Sequence, residues 1–114
     1  MDNALTPVEV VQRQFDAYNA HDLEAFLATY SPDVEIRSFP DGAFISKGIE
    51  EVRASYGQWF EKPTLHARLV SRATLKQFVI DVEEITGAVE GQLLSGIAIY
   101  EVVDQLIRRV WLIL

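Results

Sequence analysis

The residues able to do chemistry fall into a few groups. His66, in Leu65-His66-Ala67-Arg68, shares one face of an expected strand with Arg68 and Val70. If that face lines a pocket, His66 is the side chain best suited to shuttle a proton at neutral pH, and Arg68 can receive a carboxylate or enolate-like oxygen. If it faces outward, both are surface residues or stand at the rim of a subunit interface. Asp81, Glu83 and Glu84 crowd a second strand, with Asp81 and Glu83 on one face and Glu84 on the other beside Ile80 and Val82. Desolvation raises the pKa of a carboxylate set among inward apolar neighbours and fits it for acid or base work. A charge run near a turn otherwise marks a wet strand end. Arg108-Arg109 divide between the two faces of the last strand. Arg109 is expected on the inward side with Ile107, Trp111 and Ile113, where it needs Glu84, Glu101 or an anionic ligand, because an unpaired buried charge is too costly.

Tyr18, Tyr30, Tyr56, Trp59, Phe60 and Trp111 recur at spacings that wall a pocket or fill a core. If they wall a pocket, its ligand is small and mainly apolar. His21 falls in a turn between helices and is expected in solvent; Asp16, Asp22, Asp33 and Asp41 read as caps and turns. The chain has no cysteine, which excludes disulfides, thiol catalysis and thiolate metal sites, and its two histidines exclude a multi-histidine centre. There is no phosphate-cradling glycine loop, dinucleotide fingerprint or nucleophile-elbow serine. A carboxylate-based metal site is left open by these residues but is not expected, and the expected chemistry uses no cofactor.

The elements that must position these groups fit one domain, 1–114. A chain of 114 residues, 49% hydrophobic and 24% charged, has ordinary globular composition. Ten Lys+Arg against seventeen Asp+Glu give a net charge of −7, which repels phosphate backbones and argues against nucleic acid as a partner. Met1-Asp2-Asn3-Ala4-Leu5 lacks a cationic segment followed by an apolar one, so no leader is expected. The longest charge-free stretch, Gly91 to Tyr100, is about half of the ~20 residues a membrane helix needs. The expected location is the cytoplasm.

Thr6-Pro7-Val8-Glu9 reads as a capping box with proline at the first helical position. Val8, Val11, Phe15 and Tyr18 then form one apolar stripe, and Asn19 is a plausible left-handed end. Asp22 caps a second short helix burying Leu23, Phe26, Leu27 and Tyr30, stopped by Ser31-Pro32-Asp33. Val34 and Ile36 alternate with Glu35 and Arg37 as a short strand. After the Phe39–Gly42 turn, Ala43–Ile45 returns as a small one. Gly48 opens a third helix with Ile49, Val52, Tyr56 and Trp59 on one side. Strands are then expected near Leu65–Leu75, Phe78–Thr86, Gln92–Val103 and Leu106–Leu114, joined by turns short enough to make neighbours antiparallel.

In Leu93–Tyr100 and Val110–Leu114 both alternating faces are apolar, whereas a sheet with one wet face alternates apolar with polar. One face is expected to pack on the helices and the other on a second copy of the chain. The competing expectation is that the chain's own N-terminal segment covers it. The resulting class is α+β: three N-terminal helices on the concave face of a strongly curved, mixed or antiparallel sheet, a cone whose mouth is a natural ligand pocket.

Val10-Val11-Gln12-Arg13, Ala17 and Asn19-Ala20-His21-Asp22-Leu23 carry a resemblance that continues through Tyr30-Ser31-Pro32-Asp33-Val34 and Gly48 with Ile49 and Val52. Tyr100-Glu101-Val102 and Arg109-Val110-Trp111 complete it. In these residues and in element order the chain resembles the nuclear transport factor 2-like superfamily, in its SnoaL-like and ketosteroid-isomerase-like branch. The resemblance implies the cone, described as a cystatin-like roll, and a homodimer through the sheet. It also implies that Ile80, Val82 and Glu84 point inward, making Glu84 the catalytic carboxylate beside His66.

Ketosteroid isomerases of this superfamily use a tyrosine and a protonated aspartate as oxyanion hole and a second aspartate as base. Those positions fall at Gln14, near Ala98 and at Ser38 respectively. Gln14 lacks a phenol's acidity, Ser38 cannot act as a carboxylate base and Ala98 has no proton to give. Losing even one oxyanion donor costs ~10²–10³ in rate, so steroid isomerisation by that mechanism is not expected. The remaining expectation is a cofactor-independent isomerase, lyase or cyclase acting on a small hydrophobic molecule. His66 and Glu84 would do acid/base work, with Gln14, Tyr18, Tyr30, Ser38, Tyr56, Trp59, Phe60, Ala98, Arg109 and Trp111 around the ligand. The alternative is a non-catalytic dimeric module that binds a ligand or a protein.

Overall fold

Thr6 and Glu9 close the first helix as the sequence requires: Thr6 Oγ1 accepts from Glu9 N–H at 3.2 Å, and the Glu9 carboxylate accepts from Thr6 N–H at 2.9 Å. In a computed structural model, which describes residues 4–114, helix α1 spans Pro7–Asn19. Met1–Asn3, part of the segment read for a leader, lie outside the described residues. Helix α2 (Leu23–Leu27) is capped by Asp22, whose Oδ1 accepts from Ala25 N–H at 3.1 Å. Helix α3 spans Ile49–Trp59. The strands are β1 (Tyr30–Ser38), β2 (Phe44–Lys47), β3 (His66–Leu75), β4 (Phe78–Thr86), β5 (Leu94–Val103) and β6 (Leu106–Ile113).

Two boundaries differ from expectation for physical reasons. Tyr30 opens β1 rather than ending α2, and Ser31-Pro32-Asp33 lie inside the strand. The β1–β6 register is broken between Tyr30 and Glu35, so Pro32, which has no N–H to give, sits where the ladder is irregular. Helix α1 ends in right-handed geometry through Ala20, and His21 takes the left-handed conformation instead of Asn19. That leaves the Asn19 amide free to pair twice with the backbone of Ala67, donating to its C=O at 2.9 Å and accepting from its N–H at 2.8 Å. It ties the helical layer to edge strand β3. His21 Nε2 lies 2.7 Å from the Leu65 carbonyl oxygen and its ring stacks on Phe60, so His21 is a half-buried tie rather than a solvated residue.

The six strands form one open mixed sheet in the order β2-β1-β6-β5-β4-β3. Only β1–β6 is parallel; the other neighbours are antiparallel, as their short connections demand. The Asp104-Gln105 turn has both residues at positive φ without a glycine. Gly87 is needed: at φ +79° a Cβ would stand 2.0 Å from the Thr64 carbonyl oxygen. The helices cover the inner face, α1 against β3–β6 and α3 against β1 and β2. Val10, Val11, Phe26, Val34, Ile36, Val52, Val79 and Ile107 are essentially sealed between the layers. Among the described residues no helix is long and apolar enough to cross a membrane.

Two face assignments made from sequence are corrected here. On β4, Val79, Asp81, Glu83 and Ile85 point inward while Ile80, Val82 and Glu84 point outward, the reverse of what the resemblance implied. On β6 a bulge opposite Glu101/Val102 inserts Arg108 as an extra residue. Ile107, Val110 and Leu112 therefore face the helices, and Arg109, Trp111 and Ile113 face out.

Candidate functional site

Between the helical layer and the inner face lies a cavity of about 240 Å³. Helix α1 places Gln14, Phe15 and Tyr18 on one wall, and α3 adds Tyr56 and Trp59. The sheet supplies Ile36, Ala67, Glu83, Ile85, Ala98 and Tyr100. Ile45, Ser55 and Leu114, all exposed, stand at the mouth. The lining is mostly apolar, with a few polar groups, the usual make-up of a small-molecule site.

Glu83 is the lone charged residue in that lining among the described residues. Burial pushes its carboxyl from 4.5 up to about 7, the Asp81 charge adds to the rise, and Arg72 opposes it. Asp81, two residues back on the same face, has no exposed surface. Arg72 neutralises it with a fork, Nε to Oδ1 at 2.7 Å and Nη2 to Oδ2 at 2.9 Å. Arg72 Nη1 also donates to Gln12 Oε1 at 2.7 Å, and Gln12 Nε2 donates to Asp16 at 2.8 Å. Among the described residues Glu83 receives no such hydrogen bond, and burial and neighbouring charge set its proton affinity. It is poised to give or take a proton near neutral pH.

All four tyrosines of the chain surround this carboxyl, and its charge is felt at each of them. Burial is the largest cause of their raised pKa values: Tyr18 rises to about 12, and Tyr30, Tyr56 and Tyr100 rise as well. They stand as neutral hydroxyls at any physiological pH. Tyr18 accepts from Trp59 Nε1 at 2.6 Å and Tyr30 from Gln14 Nε2 at 3.1 Å. Gln14 Oε1 is buried without a hydrogen-bond partner among the described residues.

Of the residues singled out from sequence, Gln14, Tyr18, Tyr56, Trp59 and Ala98 border this cavity. Tyr30 and Phe60 are buried behind the wall, Tyr30 bonded to Gln14 and Phe60 packed in an aromatic cluster with Tyr18, Phe26 and Tyr56. Ser38 is occupied by Asp41 in the following turn. His66 is exposed on the outer face, and Glu84, also outward, is paired with Arg68. Neither reaches the cavity, because β3 and β4 present their other faces to the helices. Arg109 is outward too, 3.6 Å from Glu101 and 4.0 Å from Glu35, and Trp111 lies across from Ile99 on the same side. Sequence reasoning passed over Glu83 and Tyr100 as site residues. The polar–apolar alternation of Leu65-His66-Ala67-Arg68-Leu69 marks the inner face of β3 but does not carry over to β4, because a register shift between Leu69 and Ser71 sets Leu69 opposite Glu83 rather than Glu84.

An open curved sheet, helices across its inner side and a mostly apolar cavity bordered by one carboxyl side chain define an α+β cone of the cystatin-like type. The chain matches the SnoaL-like domain family over residues 11–110 and belongs to it. Similar solved structures include an uncharacterised cystatin-fold protein from Novosphingobium aromaticivorans, with TM-score 0.87 and 20% identity over 97% of this chain and 100% of that one. A candidate polyketide cyclase from Sinorhizobium meliloti gives TM-score 0.79 and 16% identity over 96% and 100%. A candidate ketosteroid isomerase from Kribbella flavida gives 0.78 and 19% over 90% and 73%. At these identities the structures show the shared fold alone. No curated protein matches the chain.

Proposed function

We propose that the cavity binds a small, mainly apolar molecule of one or two rings, and that Glu83 moves a proton on it without a cofactor. The observation that carries this reading is Glu83 itself, a largely buried carboxyl bordering an apolar chamber, with its proton affinity raised to the middle of the physiological range. A cavity of about 240 Å³ falls just under the roughly 300–1,000 Å³ that drug-sized ligands occupy, which favours a compact ligand. Carbon-acid chemistry suits the group: its ionised form abstracts a proton next to a carbonyl, and neighbouring neutral phenols can donate to the oxygen that gains charge. Isomerases, lyases and cyclases share that step, which agrees with the labels on the cyclase and isomerase relatives.

The test is hydrogen–deuterium exchange into 2-indanone, a two-ring ketone, followed by NMR. The expected result is exchange above the buffer rate, half-maximal near pH 7 and lost in Glu83→Gln; general base catalysis of this kind typically contributes ~10²–10⁴-fold. Exchange at the buffer rate with wild-type protein, while the ketone still binds, would favour the non-catalytic module instead.

The same reading includes a second copy of the chain on the outer face of the sheet. Ile80, Val82, Ile97, Ile99, Trp111 and Ile113 form cross-strand neighbours there, and they remain partly exposed. A row of charges, Glu35, Arg37, Glu101 and Arg109, closes one end. An apolar centre with a polar rim is the make-up of an interface. Sedimentation at micromolar concentration is expected to give the dimer mass; a stable monomer refutes this part.

A further inference from the structure

Among the described residues the cavity lining holds no lysine, arginine or histidine, so Glu83 has no counter-ion within it. The one cation whose charge bears on Glu83, Arg72, is committed to Asp81 by two hydrogen bonds and to Gln12 by a third. A second acceptor waits nearby: Gln14 is 5% exposed, its Nε2 is held by Tyr30 and its Oε1 has no partner. Phe15, Tyr18, Tyr56, Trp59 and Tyr100 border the same space. A carboxylate lacking a counter-ion, an amide oxygen lacking a donor and aromatic walls all favour positive charge with N–H donors on an apolar body.

We propose that the cavity selects a small amine in its ammonium form, the nitrogen on the Glu83 carboxylate and the apolar body against the aromatic wall. This adds a basic nitrogen to the ligand of the reading above. It rests on the cavity being a ligand site and is independent of whether a proton is then moved. An alcohol or ketone of equal shape brings no charge, and a carboxylate or phosphate meets Glu83 and a chain of net charge −7.

Binding is coupled to the ionisation of Glu83. The charged and titratable groups bearing on it are Asp81 of its own strand, Arg72 of β3, Tyr18 of α1, Tyr30 of β1, Tyr56 of α3 and Tyr100 of β5. The tyrosines keep their protons and the Asp81–Arg72 pair is mutually satisfied, so of these groups Glu83 is the one whose charge changes between pH 6 and 8.

Isothermal titration with benzylamine and with benzyl alcohol, its neutral counterpart of the same shape, tests the assignment. At pH 8 benzylamine should bind roughly tenfold more tightly, since its ammonium gives the ionised Glu83 carboxylate a charge-assisted hydrogen bond that the alcohol cannot match. At pH 6 that preference should fall by up to roughly tenfold as Glu83 takes up a proton, and benzylamine binding should then release one. Glu83→Gln should keep benzyl alcohol and lose the preference; should that variant not fold, the wild-type pH comparison decides alone. Benzyl alcohol binding as tightly as benzylamine overturns the ammonium assignment and leaves the cavity a ligand site. Binding of neither compound overturns both.

Discussion

Asp81 and Glu83 are the same chemical group, two residues apart on one face of one strand, and the fold treats them oppositely. Asp81 is fully buried and fully answered, with both oxygens taken by the Arg72 fork and that guanidinium braced by Gln12 from α1. Glu83 opens on a cavity whose lining holds no cation among the described residues, and its proton affinity rises. The closed part of the cone answers its carboxylate from within the fold, and the open part, on the proposed reading, leaves its carboxyl to a ligand. A carboxylate that the protein could have satisfied, as it satisfied one two residues away, is left for something else to satisfy.

The sharpest way to break that contrast is to remove the cation from the closed end. Arg72→Met leaves the Asp81 charge sealed without a partner, and breaking a buried pair from one side costs about 3–5 kcal/mol. Measured by urea unfolding, that is a large share of the roughly 5–15 kcal/mol a domain holds. Adding Asp81→Leu should recover most of the loss, because an apolar pair of similar volume has no charge to desolvate. If the single variant loses less than about 1 kcal/mol, the closed end is wetter than its geometry implies, and the contrast with Glu83 disappears.

Much of this architecture was legible beforehand, and the gaps have physical causes. The capping box, the three helices, the β3–β4 hairpin and the C-terminal hairpin follow from local signals: Thr6-Pro7-Val8-Glu9, Gly48, and two-residue turns between apolar runs. Which face of a strand points inward is a different matter, since alternation gives two faces without naming them. On β4 both faces carry acids, and the choice rests on Arg72 standing opposite Asp81, a pairing the Leu75-Lys76-Gln77-Phe78 turn fixes. On β6 the alternation fails at Arg108, because a bulge there moves every later residue to the other face. The cavity's aromatic wall was visible as side-chain types at helical spacing. Its carboxyl was not, because Glu83 and Glu84 are adjacent and only register tells them apart.

Those two adjacent glutamates give the finer test. Glu83 has a folded-state pKa raised from 4.5 to about 7, so between those values the folded state holds more protons than the unfolded chain. Its contribution is therefore neutral below pH 4.5 and increasingly destabilising as pH climbs to 7, reaching on the order of 3 kcal/mol above that. Glu83→Gln should raise stability by up to that amount at pH 8 and leave it unchanged at pH 4, as read by thermal melts across the range. Glu84 is turned outward to Arg68, whose side chain is 64% exposed. Glu84→Gln should shift stability by no more than about 1 kcal/mol, with any effect fading as salt is added. Equal pH dependence for the two variants would mean that Glu83 is as well solvated as its neighbour. The cavity would then have no reactive carboxyl, and both the proton-transfer and the ammonium readings would fall with it.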